Sequence, residues 1–388
     1  MAAPAHQRDA VRRVLVVNPG SSSLKLSVLA PTADGSERTE ATRVVDRWGG
    51  TSHLEPLHAF LEEAGPLDAV GYRVVHGGPR FAGPVLVDDD VLTVLRSYVD
   101  LAPLHQPRAL AAIDAVGRLR PGLPAVACFD TAFHAHLPPA ARTYALPRAW
   151  NERFGLRRYG FHGLSHAYAA DRAGRLLGVE AGSLRLVTAH LGAGASLAAV
   201  VGGRSVDTTM GFTPLSGLVM ATRSGSVDPG LLLWLLQHGD LSVDDLAEAL
   251  EHHSGLAGLT GTSGDMREIL ARRDQGDEVA GAAFEVYVHQ LARHAAGMVA
   301  AAGGIDALVL TGGVGEHAAP VRAELARRLE FLGVRVDPQA NTATPSLDGV
   351  DRDITGAGAH VRVLVIASRE DVQVARETRQ VLTGTTAR

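Results

Sequence analysis

Between Asn18 and Lys25 the chain gathers an amide, the hydroxyls of Ser21, Ser22 and Ser23, a lysine and a run of backbone N–H groups. Such a nest of donors suits phosphate and Mg2+ better than it suits a core. Four further segments concentrate related chemistry. Gly71–Gly78 carries Arg73 and His76 ahead of paired glycines, and Phe129–His134 carries Asp130. Arg157–His166 carries His162 and His166, and Asp207–Pro214 leads into Ala221–Pro229 with Arg223. Guanidinium groups present planar forks to phosphate and carboxylate. A transferring phosphoryl group spreads charge over three oxygens, so it needs cations and donors more than covalent partners. Taken singly, each charged residue among these reads more readily as a solvated or ion-paired structural side chain.

The elements that must position them follow from patterning. The runs Val14–Val17 and Leu24–Leu29 flank the Asn-Pro-Gly-Ser-Ser-Ser corner, which predicts a β-hairpin with a polar tip. It is not a P-loop, because the G-x-x-x-x-G-K-[ST] spacing is missing and strands stand on both sides. Further strands are expected at Ala69–Val75, Ala125–Phe129, Leu184–Ala189, Ser196–Val201, Ala307–Leu310 and Arg362–Ile366. Amphipathic helices are expected at Leu54–Glu63, Pro107–Leu119, Ser165–Leu177, Val243–His252, Asp277–Ala302, Pro320–Leu332 and Glu370–Leu382. The alternation predicts an α/β protein with mixed sheets covered by helices. Leu186–Ala198 repeats the first hairpin pattern about halfway along the chain, which implies two related domains.

Composition narrows the class. The chain has 388 residues, 46% hydrophobic and 20% charged, enough for two or three domains. A net charge of −5 gives no footprint for nucleic acid. The longest apolar run, Leu231–Leu236, is far too short for a membrane span, and Met1–Arg13 has no signal-peptide core. A single cysteine, Cys128, excludes an internal disulfide. The expectation is a cytoplasmic protein acting on small molecules.

These segments, in this order from about Val14 to about Asp371, resemble the acetate kinase family of the actin-like ATPase superfamily. The resemblance implies Mg2+-dependent phosphoryl transfer, with Mn2+ as a substitute metal, between ATP and a short-chain carboxylate, giving an acyl phosphate and ADP. It implies two actin-like (ribonuclease H-like) domains with mixed sheets facing a central cleft. Residues 1–135 plus 361–388 would form the acyl and metal side, and 136–360 the nucleotide side. Carried over residue by residue, Asp130, His162, Arg223 and Arg73 are the catalytic set, with Arg73 also holding the carboxylate. Val75, Leu104, Phe161 and Pro214 line the methyl pocket, although plain core packing is the default for such side chains. Asn18 and Glu370 stand near the metal as hard oxygen ligands, direct or through water. Lys25, His190, Leu191, Gly192, Ala193, Gly194, Asp265, Met266, Arg267, Gly313, Val314, Gly315, Glu316 and His317 form the nucleotide set. The family's homodimer is carried over as an implication.

The chain departs from the family pattern at Ala193 and His317, where Asn is usual, at Gln106 (also Asn) and at Ser216 (Glu). Loss of an amide at Ala193 removes a donor and an acceptor near the phosphates. The donor could therefore differ from ATP, and propionate could replace acetate. Two remoter readings remain. Ala307–Ala318 reads as a strand, G-x-G-x-x-A and a helix, with Asp337 following, which fits a dinucleotide-binding fingerprint and an NAD-dependent oxidoreductase. A non-catalytic actin-like nucleotide-binding protein would keep the fold and lose the need for the polar cluster.

Overall fold

A computed structural model describes residues 11–20, 23–33, 36–46, 48, 54–343 and 351–384; Ser21 and Ser22 of the first hairpin tip lie outside them. The chain divides into two compact units, Met1–Ala135 with Arg369–Arg388, and His136–Ser368.

The first unit is built on one six-stranded mixed sheet. Its strands are β1 (Val14–Pro19), β2 (Ser23–Pro31), β3 (Glu37–Asp46), β4 (Ala69–Val74), β5 (Val85–Leu86) and β6 (Ala125–Phe129), in the order β3-β2-β1-β4-β6-β5. β1 and β2 form the expected antiparallel hairpin, with Asn18 opposite Lys25, and β4 and β6 add in parallel. Leu15, Val17, Leu24, Leu26, Phe60, Leu61 and Phe129 join in its buried core, because the helices Glu55–Ala64 and Gln106–Leu119 turn their apolar stripes inward. The helix Glu370–Thr383 packs across β1, β4 and β6. It comes close because position 71 is glycine: a Cβ there would collide with Thr378 and Val374.

The second unit repeats this topology. β7 (Arg185–Leu191), β8 (Ala195–Val201), β9 (Arg204–Thr208), β10 (Ala307–Thr311), β11 (Arg352–Asp353) and β12 (Arg362–Val365) run in the order β11-β12-β10-β7-β8-β9. Each sheet thus has a three-stranded antiparallel meander, two parallel additions and a short antiparallel edge strand. The helix Glu278–Ala302 lies against β7 and β8, and Gly163–Leu177 against β7 and β10.

Two expectations are corrected here. The segment from Val361 onward does not return whole to the first unit. β12 is a parallel neighbour of β10 in the second sheet, with Val363, Leu364 and Val365 fully buried, and only the helix after it belongs to the first unit. The dinucleotide-binding reading also fails. β10 leads into the short helix Gly312–His317, but Asp337 caps the helix Pro338–Thr342 by accepting from Ala340 N–H and so is engaged elsewhere.

Candidate active site

In the first unit the alternation of strand side chains sets the cluster. Arg73 on β4 and Asp130, just past β6, meet in a forked ion pair. Arg73 Nε donates to Asp130 Oδ1 at 3.0 Å and Nη2 to Oδ2 at 2.7 Å. Arg73 Nη1 donates to Asn18 Oδ1 at 3.2 Å and lies 3.4 Å from Glu370 Oε2, which also accepts from Asn18 Nδ2 at 3.2 Å. Burial alone would weaken the guanidinium's hold on its proton, but Asp130 and Glu370 raise its pKa above the ordinary arginine value. Lys25 is exposed beside Asn18 on the neighbouring strand. Val75 is buried next to this cluster in sequence, and Leu104 is exposed.

Asn18 and Glu370 bring an amide oxygen and a carboxylate together, the hard donors a small divalent cation takes. Among the described residues no group of three or more His, Cys, Asp or Glu could hold an ion unaided. This donor set fits Mg2+, which keeps waters and substrate phosphate oxygens in most of its coordination positions.

Behind Asp130 lies a carboxyl that the sequence reading passed over. Glu377 accepts from Gln373 Nε2 at 2.9 Å and touches Cys128, two residues before Asp130 on β6. Burial pushes its pKa from 4.5 up to about 7, and the charge of Asp130 adds to the rise. The folded state therefore binds the proton more tightly than the unfolded chain. The resulting stability is complete below pH 4.5 and is lost as pH rises through about 7. Glu377→Gln is expected to flatten this fall, so that the variant melts above the parent at pH 8 and alongside it at pH 4. Thermal melts across that range measure it; parallel curves would show that Glu377 does not titrate in this window.

In the second unit, the expected residues converge on the turn between β7 and β8. His162 caps the helix Gly163–Leu177 in a left-handed conformation (φ +56°), which is unusual for a residue with a Cβ. Its Nδ1 lies 2.9 Å from Ser196 Oγ, which is also 2.8 Å from His166 Nε2; His166 Nδ1 in turn is 2.8 Å from Thr188 Oγ1. His190 holds Ser165 at 2.8 Å, and its ring centroid is 4.4 Å from that of His162. Arg223 Nη1 donates to Pro214 O at 2.8 Å, and its Nε is 3.7 Å from Glu251. Burial lowers the Arg223 pKa, and Glu251 partly opposes the change. A Cβ at Gly194 would stand 3.4 Å from the His162 ring and 3.6 Å from Arg223 Nη2, so both side chains lie against the turn. Phe161 is buried beside His162, and the backbone of Tyr159 and Gly160 donates to Gly211 O, tying this segment to the loop that carries Pro214.

The same turn continues into a pocket of about 730 Å3. Of the expected nucleotide set, Gly192, Ala193, Asp265, Met266, Arg267, Gly313, Val314 and His317 line it. Ala221 N–H donates to Ala193 O at 3.0 Å, fastening the pocket wall to the Arg223 loop. Leu191, Gly315 and Glu316 are buried outside the lining. Glu316 Oε1 accepts from Gly312 N–H at 3.0 Å and Ser368 N–H at 2.8 Å, so it braces the start of the short helix Gly312–His317. Asp265 accepts from Arg267 N–H at the start of a helix and pairs with that arginine at the rim.

Several neighbours escaped the sequence reading. Ser196 and Glu251 lack any motif of their own. His166, named with His162 in the same segment, stands in the first turn of the helix that His162 precedes. Leu256, Leu270 and Tyr287 complete the pocket, yet their helical spacing is that of ordinary core.

The chain is similar to known proteins along most of its length. The sequence model of the Acetokinase family matches residues 51–376. The acetate kinase of Deinococcus radiodurans is 45% identical, covering 95% of this chain and 98% of its own. The crystal structure of Porphyromonas gingivalis acetate kinase superposes with a TM-score of 0.84 at 33% identity, covering 96% of this chain and 100% of that one. A propionate kinase from Francisella tularensis also superposes at 0.84, with 35% identity over 94% of this chain and 98% of its own. With a family match across most of its length and relatives at this identity, the chain belongs to the acetate kinase family, phosphotransferases that act on a carboxyl group.

Proposed function

We propose that the protein transfers the γ-phosphoryl group of ATP directly, in line, to acetate, giving acetyl phosphate and ADP, and catalyses the reverse. The observation that supports this most is the β7–β8 turn, which meets His162 and Arg223 at Gly194 and lines the pocket at Gly192 and Ala193. A nucleotide whose base enters that pocket has phosphate donors at its mouth. Arg223 and His162 then offer hydrogen bonds to charge that grows on the equatorial oxygens.

Arg73 is assigned to the carboxylate of acetate, with Asp130 fixing its plane. Acetate is already ionised at pH 7, so Asp130 has no proton to take from the nucleophile. Asn18 and Glu370 would hold Mg2+, which when bound neutralises charge on the phosphate oxygens. Lys25 is assigned to the phosphates, and Val75, Leu104, Phe161 and Pro214 to the methyl group. One methylene is worth only about 1–3 kcal/mol in such a pocket, so propionate is the near competitor, as a relative named propionate kinase suggests.

A hydroxamate assay of acyl phosphate, crossing acetate, propionate and butyrate with ATP, GTP and diphosphate, tests these assignments. Acetate with ATP is expected to give the highest kcat/KM. Hydroxamate formation only with diphosphate would replace the donor, and none with any pair would remove the function.

We also infer a homodimer in the cytoplasm. Among the described residues no helix is long and apolar enough to cross a membrane. The helix Pro229–His238 nevertheless buries none of its residues in this chain, and Leu231, Leu233 and Trp234 are 47%, 59% and 55% exposed. Adjacent apolar side chains of this kind mark association surfaces. Leu233→Asp is expected to halve the mass seen by light scattering; an unchanged dimer would place the interface elsewhere, and a parent monomer would refute it.

A further inference from the structure

The pocket beside the β7–β8 turn has two chemically different ends. Its rim carries Ser263, Asp265, Arg267 and His317, whereas Leu256, Met266, Leu270, Val314 and Ala318 give an apolar interior suited to a flat ring. One polar group stands among these apolar side chains. Tyr287, on the long helix Glu278–Ala302, lines the pocket while being only 3% exposed. Its hydroxyl is buried and has no hydrogen-bond partner among the described residues.

A buried hydroxyl left without a partner is destabilising, a penalty that a phenylalanine at the same place would not incur. Burial also raises the Tyr287 pKa, which keeps the group a neutral phenol able both to donate and to accept. Neighbouring side chains of the pocket interior are aliphatic or thioether and offer it no strong partner. A ligand with polar atoms on its edge can supply one.

We propose that the Tyr287 hydroxyl hydrogen-bonds the edge of the nucleotide base and is the residue through which this pocket favours a nucleotide over a base-less phosphoryl donor. The inference rests on the nucleotide reading of the pocket given above. Because a hydroxyl serves as donor or acceptor, it can meet an amino group, a ring nitrogen or a carbonyl, so the group selects for a base more than it separates one purine from another.

The test is calorimetric titration of the parent and of Tyr287→Phe with ADP and with ribose 5-diphosphate, which keeps the sugar and phosphates and lacks the base. The ring is retained, so fold and packing are preserved, and melting curves check this. The parent is expected to bind ADP more tightly than ribose 5-diphosphate. Tyr287→Phe is expected to weaken ADP about five- to tenfold and to leave ribose 5-diphosphate unchanged, as befits one lost hydrogen bond. An unchanged ADP affinity in the variant, or equal weakening of both ligands, would overturn the role of the hydroxyl while leaving the nucleotide reading intact. A parent that binds the two ligands equally would overturn the nucleotide reading of the pocket, and this inference with it.

Discussion

Arg223→Ala is expected to lower kcat about a thousandfold while changing the Kd for ADP less than about threefold. The reasoning starts from where the guanidinium sits. It is largely buried, held by Pro214 O at 2.8 Å, and approaches the turn at Gly194 rather than lining the pocket. A cation placed there meets charge that builds up during transfer, and interactions made more strongly in the transition state than in the ground state raise kcat rather than affinity. Low local dielectric strengthens the effect. Single-turnover rates and ADP titration on the same preparation separate the two quantities. A loss confined to nucleotide affinity would make Arg223 a binding residue and refute its assigned role.

Asp130→Asn carries the second large effect. Asp130 is 1% exposed and makes three hydrogen bonds with Arg73, so the amide keeps the shape and removes the charge that holds the fork. Arg73 is then left with Glu370 at 3.4 Å as its carboxylate partner. The expected result is a fall of about a hundredfold in kcat/KM for acetate, with the pH dependence of the remaining activity unchanged in shape. An orienting carboxylate leaves the profile intact, whereas a general base would take the acidic limb with it. Disappearance of that limb in the variant would restore the proton-abstraction role. Stability also drops, because one member of a buried pair is left partly uncompensated, so rates must be referred to the folded fraction.

The candidate residues were legible because they stand in dense, ordered motifs: Arg73 and Asp130 at strand ends, His162 at a helix start and Arg223 in the loop before the helix Pro229–His238. The two hairpins announced themselves through small-residue corners between apolar runs. The elements that escaped are those whose sequence carries no such contrast. β3 is an edge strand with the composition ERTEATRVVD, nearly all of it at least partly exposed, so nothing in its hydrophobicity marks a strand. β12 is apolar enough to read as a strand, but pairing partners are set by tertiary contacts, and those assign it to the second sheet. The run Leu231–Leu236, too short for a membrane span, belongs to a helix that buries none of its residues in this chain.

The site shows the same division. Gly192, Ala193 and Gly313 could be singled out from their loops and line the pocket, whereas Tyr287 sits in a 25-residue helix at ordinary core spacing, where a hydroxyl looks incidental until the pocket beside it is seen. Glu316 shows the converse. Its position in a glycine-rich loop suggests a ligand contact, yet its carboxylate is committed to two backbone donors behind that loop. Glu377 shows a third pattern: its helical position is ordinary, and only the closeness of Cys128 and Asp130 makes its proton consequential.

The central claim is that a carboxylate oxygen attacks the terminal phosphorus of a nucleotide. Phosphorus NMR of the product formed from ATP and acetate labelled with 18O in both carboxyl oxygens tests it most directly. The account predicts acetyl phosphate whose phosphorus carries one 18O in the bridge to carbon, accompanied by an equal amount of ADP. Acetyl phosphate with an unlabelled bridge, or inorganic phosphate with no acyl phosphate at all, would contradict it.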